Sequence, residues 1–343
     1  MGGMMRGIGQ KLGFAAVAVF ATCGSALAQT PADFYKGKNV NIVVGFTPGG
    51  GYDQYARVFA RHFDKHIPGR PNVVVQNFPG AGSLAAARRV DNGLAEDGTN
   101  IVTFNYGLIT ESLTSPEKTA NINFSQMRWL GSITRDFRVC YMWHETGMKT
   151  WEDVAKRSEV VFGTTGPGTS VYINGAMMRN VFGLKIKQIL GYPGSAETRI
   201  ALERGELQGD CNSWSSIHED WIRDKKIHPF VLFTPSRSAD MPVDIPYIGN
   251  FVKNEEQKAI VEILTAAGDL GKPYVMSLKV PMDRIRALRA AFDATMKDPD
   301  FLSEAAKQKL PVTPVAGEEA ETILKRIYSF PPELVAKAKK ASE

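Results

Sequence analysis

The chain reads as an α/β protein of two lobes, and three observations say so. Short β-branched runs alternate with helical patterns over most of the chain, the arrangement that builds parallel-rich sheets with helices on both faces. A length of 343 residues allows about two domains at roughly 150 residues each. The last third is almost wholly helical in pattern, with Tyr274 to Leu278 its clear strand. Such a segment cannot build a parallel sheet of its own and is expected to pack back on an earlier lobe.

The elements follow in order. Val40 to Phe46 reads as a strand broken by Gly49-Gly50-Gly51. Residues 53–66 then read as a helix with Tyr52, Tyr55, Phe59 and Phe63 on one face. Asp53 sits where an N-cap belongs. Val73 to Val75 is a second strand, and Pro79-Gly80-Ala81-Gly82-Ser83 leads into an Ala-rich helix reaching to near Gly93. Ile101 to Phe104 is a third strand after the Asp97-Gly98 turn. The theme repeats with strand 160–162, a glycine loop at 163–168, helix 169–182, strand 186–190, helix 195–204 and strand 207–212. Residues 251–267, 281–297, 300–309 and 317–328 read as helices. The chain is expected to cross between lobes near 137 and to return near 234. Lobe 1 is then 29–136 with 235–343, and lobe 2 is 137–234.

Composition narrows the function. With 43% hydrophobic and 22% charged residues the chain is a soluble globular protein, not a disordered or polytopic membrane chain. A net charge of +5 without a dense Lys/Arg run argues against nucleic-acid binding. The three cysteines form no C-x-x-C pair, so neither a disulfide scaffold nor a structural zinc site is expected. Arg6 and Lys11, the short apolar stretch Leu12 to Phe20 and the A-x-A site at Ala26-Leu27-Ala28 read as an export signal over residues 1–28, cleaved after Ala28. The mature chain is expected in the periplasm, where Cys140 and Cys211 are either bridged or two buried thiols.

Four loops share one design, in which a strand runs into a Gly/Pro-rich turn and then a helix N-terminus. They are Thr47-Pro48-Gly49-Gly50-Gly51, Pro79-Gly80-Ala81-Gly82-Ser83, Thr164-Thr165-Gly166-Pro167-Gly168-Thr169-Ser170 and Tyr192-Pro193-Gly194-Ser195. Glycine lets the backbone come close to a ligand, and helix N-termini favour an anion there. Ligands in such sheets bind at the carboxyl ends of the strands. A charge-assisted hydrogen bond is worth about 1.5–3 kcal/mol, so three or four can hold a small anion without a lysine or arginine. Tyr52, Phe104, Tyr106, Tyr192 and Trp214, at strand ends or loop starts, are candidates to pack on the body of that ligand.

Other chemistries are poorly supported. Gly80 to Ala85 matches a dinucleotide-binding glycine pattern, but the next strand ends in Phe104-Asn105 with no acid for a ribose. Gly163 to Gly168 has the P-loop glycine spacing, with Thr169 where the lysine belongs. There is no G-x-S-x-G elbow. His62 and His66 stand one helical turn apart without the glutamate of a zinc-protease motif, and a solvated helix edge accounts for them. No cofactor, metal site or catalytic set is expected.

Several segments resemble the tripartite tricarboxylate transporter receptors, the Bug family of periplasmic solute-binding proteins. Phe46-Thr47-Pro48-Gly49-Gly50-Gly51-Tyr52-Asp53 is similar to that family's F-x-P-G-G-x-x-D segment, and Asn77 to Ser83 to its N-x-P-G-A-G-G segment. Asp97-Gly98-Thr99, Tyr192 to Ala196, Gly205-Glu206-Leu207, Lys272-Pro273-Tyr274, Leu288 to Phe292 and Lys297-Asp298-Pro299 follow in the family's order.

The resemblance implies a type II-like binding protein with two crossovers and a cleft that closes on a carboxylate, a monomer that delivers its solute to large and small membrane subunits. A periplasmic sensor subunit and, further off, a hydrolase on the same fold are the alternatives. Carried over residue by residue, the ligand set is Thr47, Gly50, Gly51, Gly82 and Ser83 from one lobe, to which the reading of strand ends adds Tyr52, Phe104 and Asn105. Thr165, Thr169, Ser170, Tyr192 and Ser195 come from the other, where the same reading of strand ends adds Trp214, and Asp53 holds the first loop. Gly51-Tyr52 stands where the family commonly has a Ser/Thr pair, which leans toward an acid with a flat or apolar body.

Overall fold

The computed structural model describes residues 1–3 and 29–343 except 91, 236 and 239. Most of the export signal read at 1–28 therefore lies outside the described residues. Among the described residues no helix is long and apolar enough to cross a membrane.

Two mixed sheets organise the chain. The first contains β1 (Asn39–Val44), β2 (Asn72–Asn77), β3 (Asn100–Thr103), β4 (Met127–Ser132), β10 (Pro273–Ser277) and β11 (Val315–Ala316), in the order β11-β4-β10-β3-β1-β2. The second contains β5 (Arg138–Trp143), β6 (Val160–Gly163), β7 (Ile186–Ile189), β8 (Gly209–Ser213) and β9 (Ile227–Leu232), in the order β7-β6-β8-β5-β9. The β1–β2, β1–β3, β6–β7 and β6–β8 pairs are parallel, as the alternation predicts.

The sheets are not wholly parallel, however. β10 runs against β3 and β4, and β5 runs against β8 and β9. The crossover explains this. β4 ends at Ser132, and six residues later Arg138 opens β5, so β5 enters the second sheet from the hinge end. The strands β6 and β8, by contrast, end there. Likewise β10 starts at the end where β3 stops, with Pro273 opposite Ser132. The polarity brings the carboxyl ends of β1, β2, β3, β6 and β8 together with the start of β10 at one level between the sheets.

The helices form as their patterns require. Helix Gly51–Phe63 buries Tyr52, Tyr55, Phe59 and Phe63, the predicted face. Phe59 meets Phe63, Tyr274, Phe292 and Phe301, and each such ring contributes about 1.5–3 kcal/mol by leaving water. His62 on the polar side of this helix and His66 in the turn that follows bond Glu304 and Asp298 at 2.7 and 2.6 Å, a seam with helix Pro299–Lys307 and its cap. The Ala-rich helix is shorter than its pattern, Leu84–Arg88.

The segment after 235 serves both cores. Helices Met282–Thr295 and Pro299–Lys307 give Ile285, Leu288, Phe292 and Phe301 to the core of the first sheet. Helices Glu255–Thr265 and Pro332–Ser342 give Ile260, Val261, Ile263, Leu264, Ala338 and Ala341 to the core of the second.

Cys140 and Cys211, directly opposite each other on β5 and β8, are joined by a disulfide. The bond closes a separation of 71 residues. Replacing both by alanine is expected to lower the unfolding free energy by about 2–4 kcal/mol, read as an earlier urea midpoint with a steeper slope, since the uncrosslinked unfolded chain exposes more surface. An unmoved midpoint would show that the bond carries no stability.

Candidate functional site

The glycine loops of the two sheets meet. A cavity of about 40 Å³ lies where they converge. From the first sheet's side it is lined by Phe46, Gly50, Gly51, Tyr52, Asn105 and Lys272, and from the second by Arg138, Thr165, Val171, Ser195, Asn212, Ser213 and Ser216. Three helices begin at its wall: Gly51–Phe63, Ser170–Asn180 and Ser195–Glu203. The partial positive charge at their N-termini favours a negative guest. A cavity of this size admits a few water-sized groups, enough for a carboxylate head. A larger cavity of about 610 Å³ lies behind Arg138, against Phe233, Val261 and Phe330. No glycine loop reaches it, so size alone does not locate the site.

The first loop is held from within. Asp53 is not the N-cap of its helix, since Gly50 takes that position. Its carboxylate, in the first turn, instead reaches back to accept from Gly49 N at 2.9 Å, and also accepts from Arg57 Nε and Asn77 Nδ2, each at 2.9 Å. Burial opposes the charge, but these donors hold Asp53 below the usual aspartate range. The second loop takes left-handed backbone at Ala81, Gly82 and Ser83, with φ of 46°, 61° and 76°. That twist presents Ser83 Oγ to accept from Asn105 N at 2.9 Å.

Contacts across the gap are direct. Asn105 Oδ1 accepts from Gly107 N in its own lobe at 2.8 Å and from Ser170 N in the other at 2.9 Å. Thr47 Oγ1 donates to Glu197 Oε2 at 3.1 Å, and Arg199 Nη2 donates to Gly49 O at 3.1 Å. Gly51 lies against Ser216 Oγ, and a methyl group on Gly82 would stand 2.5 Å from Thr169 Cγ2. The two halves are thus closed on each other.

The residues picked from sequence divide as follows. Gly50, Gly51, Tyr52, Asn105, Thr165 and Ser195 line the cavity. Thr47, Gly82, Thr169 and Ser170 stand at the seam beside it. Thr169 Oγ1 is occupied as a helix cap, accepting from Tyr172 N and donating to Gly166 O at 2.8 Å. Thr165 Oγ1 is buried without a partner. Ser83 lies beneath the loop. Phe104 is wholly buried and packs on Phe124, centroid to centroid 4.7 Å, so it belongs to a further core cluster with Phe124 and Trp129 rather than to the site. The alternation of β3 sends Phe104 inward and leaves Asn105 at the gap. Tyr192 packs on the second lobe. Trp214 donates to Asp240 Oδ2 at 2.8 Å and lines a separate groove of about 590 Å³ with Gln54, Ile217 and His218.

Sequence reasoning missed the charged floor. Arg138, Asp136 and Lys272 are 3%, 5% and 1% exposed. Arg138 donates to Asp136 Oδ2 at 2.8 Å, to Tyr106 Oη and Cys211 O at 3.1 Å, and to Ser213 Oγ at 3.4 Å. Ser213 Oγ donates to Asp136 Oδ1 and accepts from Lys272 Nζ at 3.2 Å. Burial would raise Asp136, but Arg138 and Lys272 hold it below the usual carboxylate range. Burial lowers Lys272 to about 8, with Arg138 adding to the shift and Asp136 opposing it. The signal was present in the sequence: each cation sits at the mouth of an otherwise apolar strand, Arg138-Val-Cys-Tyr-Met-Trp and Lys272-Pro-Tyr-Val-Met.

Two mixed sheets joined by a double crossover, with helix-starting loops facing each other across the hinge, define a two-lobed periplasmic binding protein fold. No family model matches the chain. It is 23% identical over 307 residues to a UPF0065 protein in the gbd 5' region of Cupriavidus necator, covering 87% of this chain and 86% of that one. It is 39% identical over 70 residues to the protein BugT of Bordetella pertussis, 20% of this chain and 21% of BugT. Among solved structures it superposes on the periplasmic binding protein BugD with a TM-score of 0.73 at 19% identity, over 90% of this chain and 98% of BugD. A Rhodopseudomonas palustris protein solved with adipate gives 0.69 at 17% identity, over 88% and 97% of the two chains. MatC of Rhodopseudomonas palustris with bound malate gives 0.69 at 16%, over 89% and 99%. The fold is that of the Bug-type periplasmic binding proteins, and the family resemblance carried by the motifs is borne out.

Gly107 tests whether closure is as tight as it looks. A methyl group there would stand 2.6 Å from Gly168 O and 2.7 Å from the Thr169 carbonyl carbon, and would also meet Ser170 N, all backbone of the other lobe. Gly107→Ala suits the start of its own helix. The variant is expected to keep its circular dichroism and to show a larger radius of gyration in small-angle scattering. An unchanged radius would show that the lobes do not meet there.

Proposed function

We propose that the chain is an extracytoplasmic solute-binding receptor that captures a small carboxylate between its lobes and presents it to the membrane subunits of a tripartite tricarboxylate-type transporter. The observation that carries this reading is the opening of three helix N-termini, drawn from both lobes, onto one cavity. The relatives solved with adipate and with malate have the same fold, which supports a carboxylate as the solute. Removal of residues 1–28 would leave the mature chain in the periplasm, where the Cys140–Cys211 bond is chemically at home.

In this reading lobe 1 is built on 29–136 and lobe 2 on 137–234. The segment 235–343, assigned to lobe 1 by the sequence, also lends helices Glu255–Thr265 and Pro332–Ser342 to the second core. The hinge is the pair of connections after Ser132 and Leu232. The solute enters an open cleft, and the hinge brings Thr165 and Ser195 over Gly50 and Gly51. Asn105 to Ser170 N, Thr47 to Glu197 and Arg199 to Gly49 O then latch the closed form. Gly50, Gly51, Tyr52, Thr165 and Ser195 form the ligand set, while Thr47, Gly82, Ser83, Thr169 and Ser170 shape and latch it. The event is capture and release, with no catalytic step.

Titration calorimetry against a panel of mono-, di- and tricarboxylates and aromatic acids is expected to show saturable binding by at least one. Micromolar affinity corresponds to about 8 kcal/mol. Silence across the panel from refolded, ligand-free protein would overturn the reading. Thr165→Val removes the unpartnered hydroxyl with little change of shape and is expected to weaken that binding by roughly 10- to 100-fold, about 1.4–2.8 kcal/mol.

A further inference from the structure

Lys272 is a charge buried in the interior, 1% exposed, with few partners. Its ammonium has three N–H donors. One goes to Ser213 Oγ, and the group otherwise lies 4.5 Å from the centre of the Tyr52 ring and 5.4 Å from that of Tyr55. Among the described residues it makes no ion pair. The nearby carboxylate, Asp136, is engaged by Arg138 and Ser213. A buried cation without a matched anion is costly, and proteins that retain one normally give it a partner. The partner's place is evident here, because Lys272 forms part of the cavity wall beside Gly50, Gly51 and the orphan hydroxyl of Thr165.

We infer that Lys272 is the charged contact of the captured solute: the solute inserts one carboxylate, which pairs with the ammonium, and carries no second charge into the cavity. This rests on the receptor reading and makes it more specific. Asp136 and Arg138 neutralise each other, so the floor offers one uncompensated positive charge. The volume of about 40 Å³ takes a carboxylate head and leaves the body outside. A di- or tricarboxylate would have to keep its other charges in the outer cleft. The fitting class is therefore an acid recognised by one deeply buried carboxylate, with a neutral amide of the same shape rejected.

The pH behaviour follows. The titratable groups facing Lys272 are Asp136 from the connection before β5 and Arg138 at the start of β5, with Tyr52 and Tyr55 from the helix above. Asp136 is held low and both tyrosines are raised by burial, so none of these changes charge between pH 7 and 9. Lys272, lowered by burial to about 8, does. Simple carboxylic acids are ionised throughout this range. Affinity for the acid is expected to fall by roughly tenfold from pH 7 to 9 as the ammonium loses its proton. The solute-free protein responds in the opposite direction. Its lysine pKa lies below the unfolded value, so the charging penalty is present near neutrality and is relieved as pH rises from about 8 toward 10.5.

The test uses the mature chain with benzoate, malate and adipate, each beside its neutral amide. Lys272→Met is expected to melt at the same or a higher temperature without solute, and to bind at least ~30-fold more weakly whichever acid wild type binds. Lys272→Arg should recover part of the loss. Equal binding by wild type and Lys272→Met, or equal binding of acid and amide by wild type, would overturn the inference and leave the receptor reading standing. Binding of none of these acids, or of any other carboxylate, by wild type would remove both. If Lys272→Met fails to fold, the wild-type pH profile decides. A tenfold fall supports the lysine, and a flat profile overturns its role.

Discussion

Everything at the centre of this molecule is organised around positive potential held out of water. Three helix N-termini and a buried ammonium open onto the same small space, with one arginine–aspartate pair beneath them to keep the arrangement in place. Each of these groups would be solvated on an open surface. Here the strands deliver them to the seam because β1, β2, β3, β6 and β8 all end there and β10 begins there. The mixed direction of the sheets is therefore a requirement of the site. Only a strand entering from the hinge can place Arg138 beside the end of β8, and only one leaving it can place Lys272 beside the end of β3.

Closure and binding draw on the same groups. Asn105 spends one oxygen on its own lobe and on the opposite one, and Thr47 and Gly49 meet Glu197 and Arg199 across the gap. These contacts are individually modest, about 0.5–1.5 kcal/mol for a neutral hydrogen bond. Their sum is small enough for a guest to tip the balance between open and closed forms. Glycine at positions 51, 82 and 107 sets the distance of approach.

The parts of the fold that could be read from sequence were those with one wet face. Helix Gly51–Phe63 showed its aromatic stripe, and the strands before the glycine loops were bounded by turn residues. The strands β4 and β9 were not recognised, and β5 was placed only as a strand near Cys140 without bounds, because MRWLGS, RVCYMW and IHPFVL are nearly buried throughout and carry no alternation. Without them the antiparallel pairing was not foreseen, although β10 itself was read as the strand Tyr274 to Leu278, and the route by which Arg138 arrives was missed. The loops of the site were legible because glycine, proline and hydroxyl residues cluster there for a local reason. Phe104 was misplaced by a single residue's alternation. Lys272 was quoted within a motif yet given no role, since its meaning depends on Ser213 and Asp136, both distant in sequence.

The bond between Cys140 and Cys211 bears on how the protein should be made. It ties the strand that starts with Arg138 to the strand that ends with Asn212 and Ser213, so it fixes the spacing of two walls of the pocket. Produced in a reducing cytosol, the same polypeptide would fold with two thiols there and a looser floor. Secretion into an oxidising compartment, or refolding with a thiol–disulfide couple, is thus part of obtaining the receptor in its competent form.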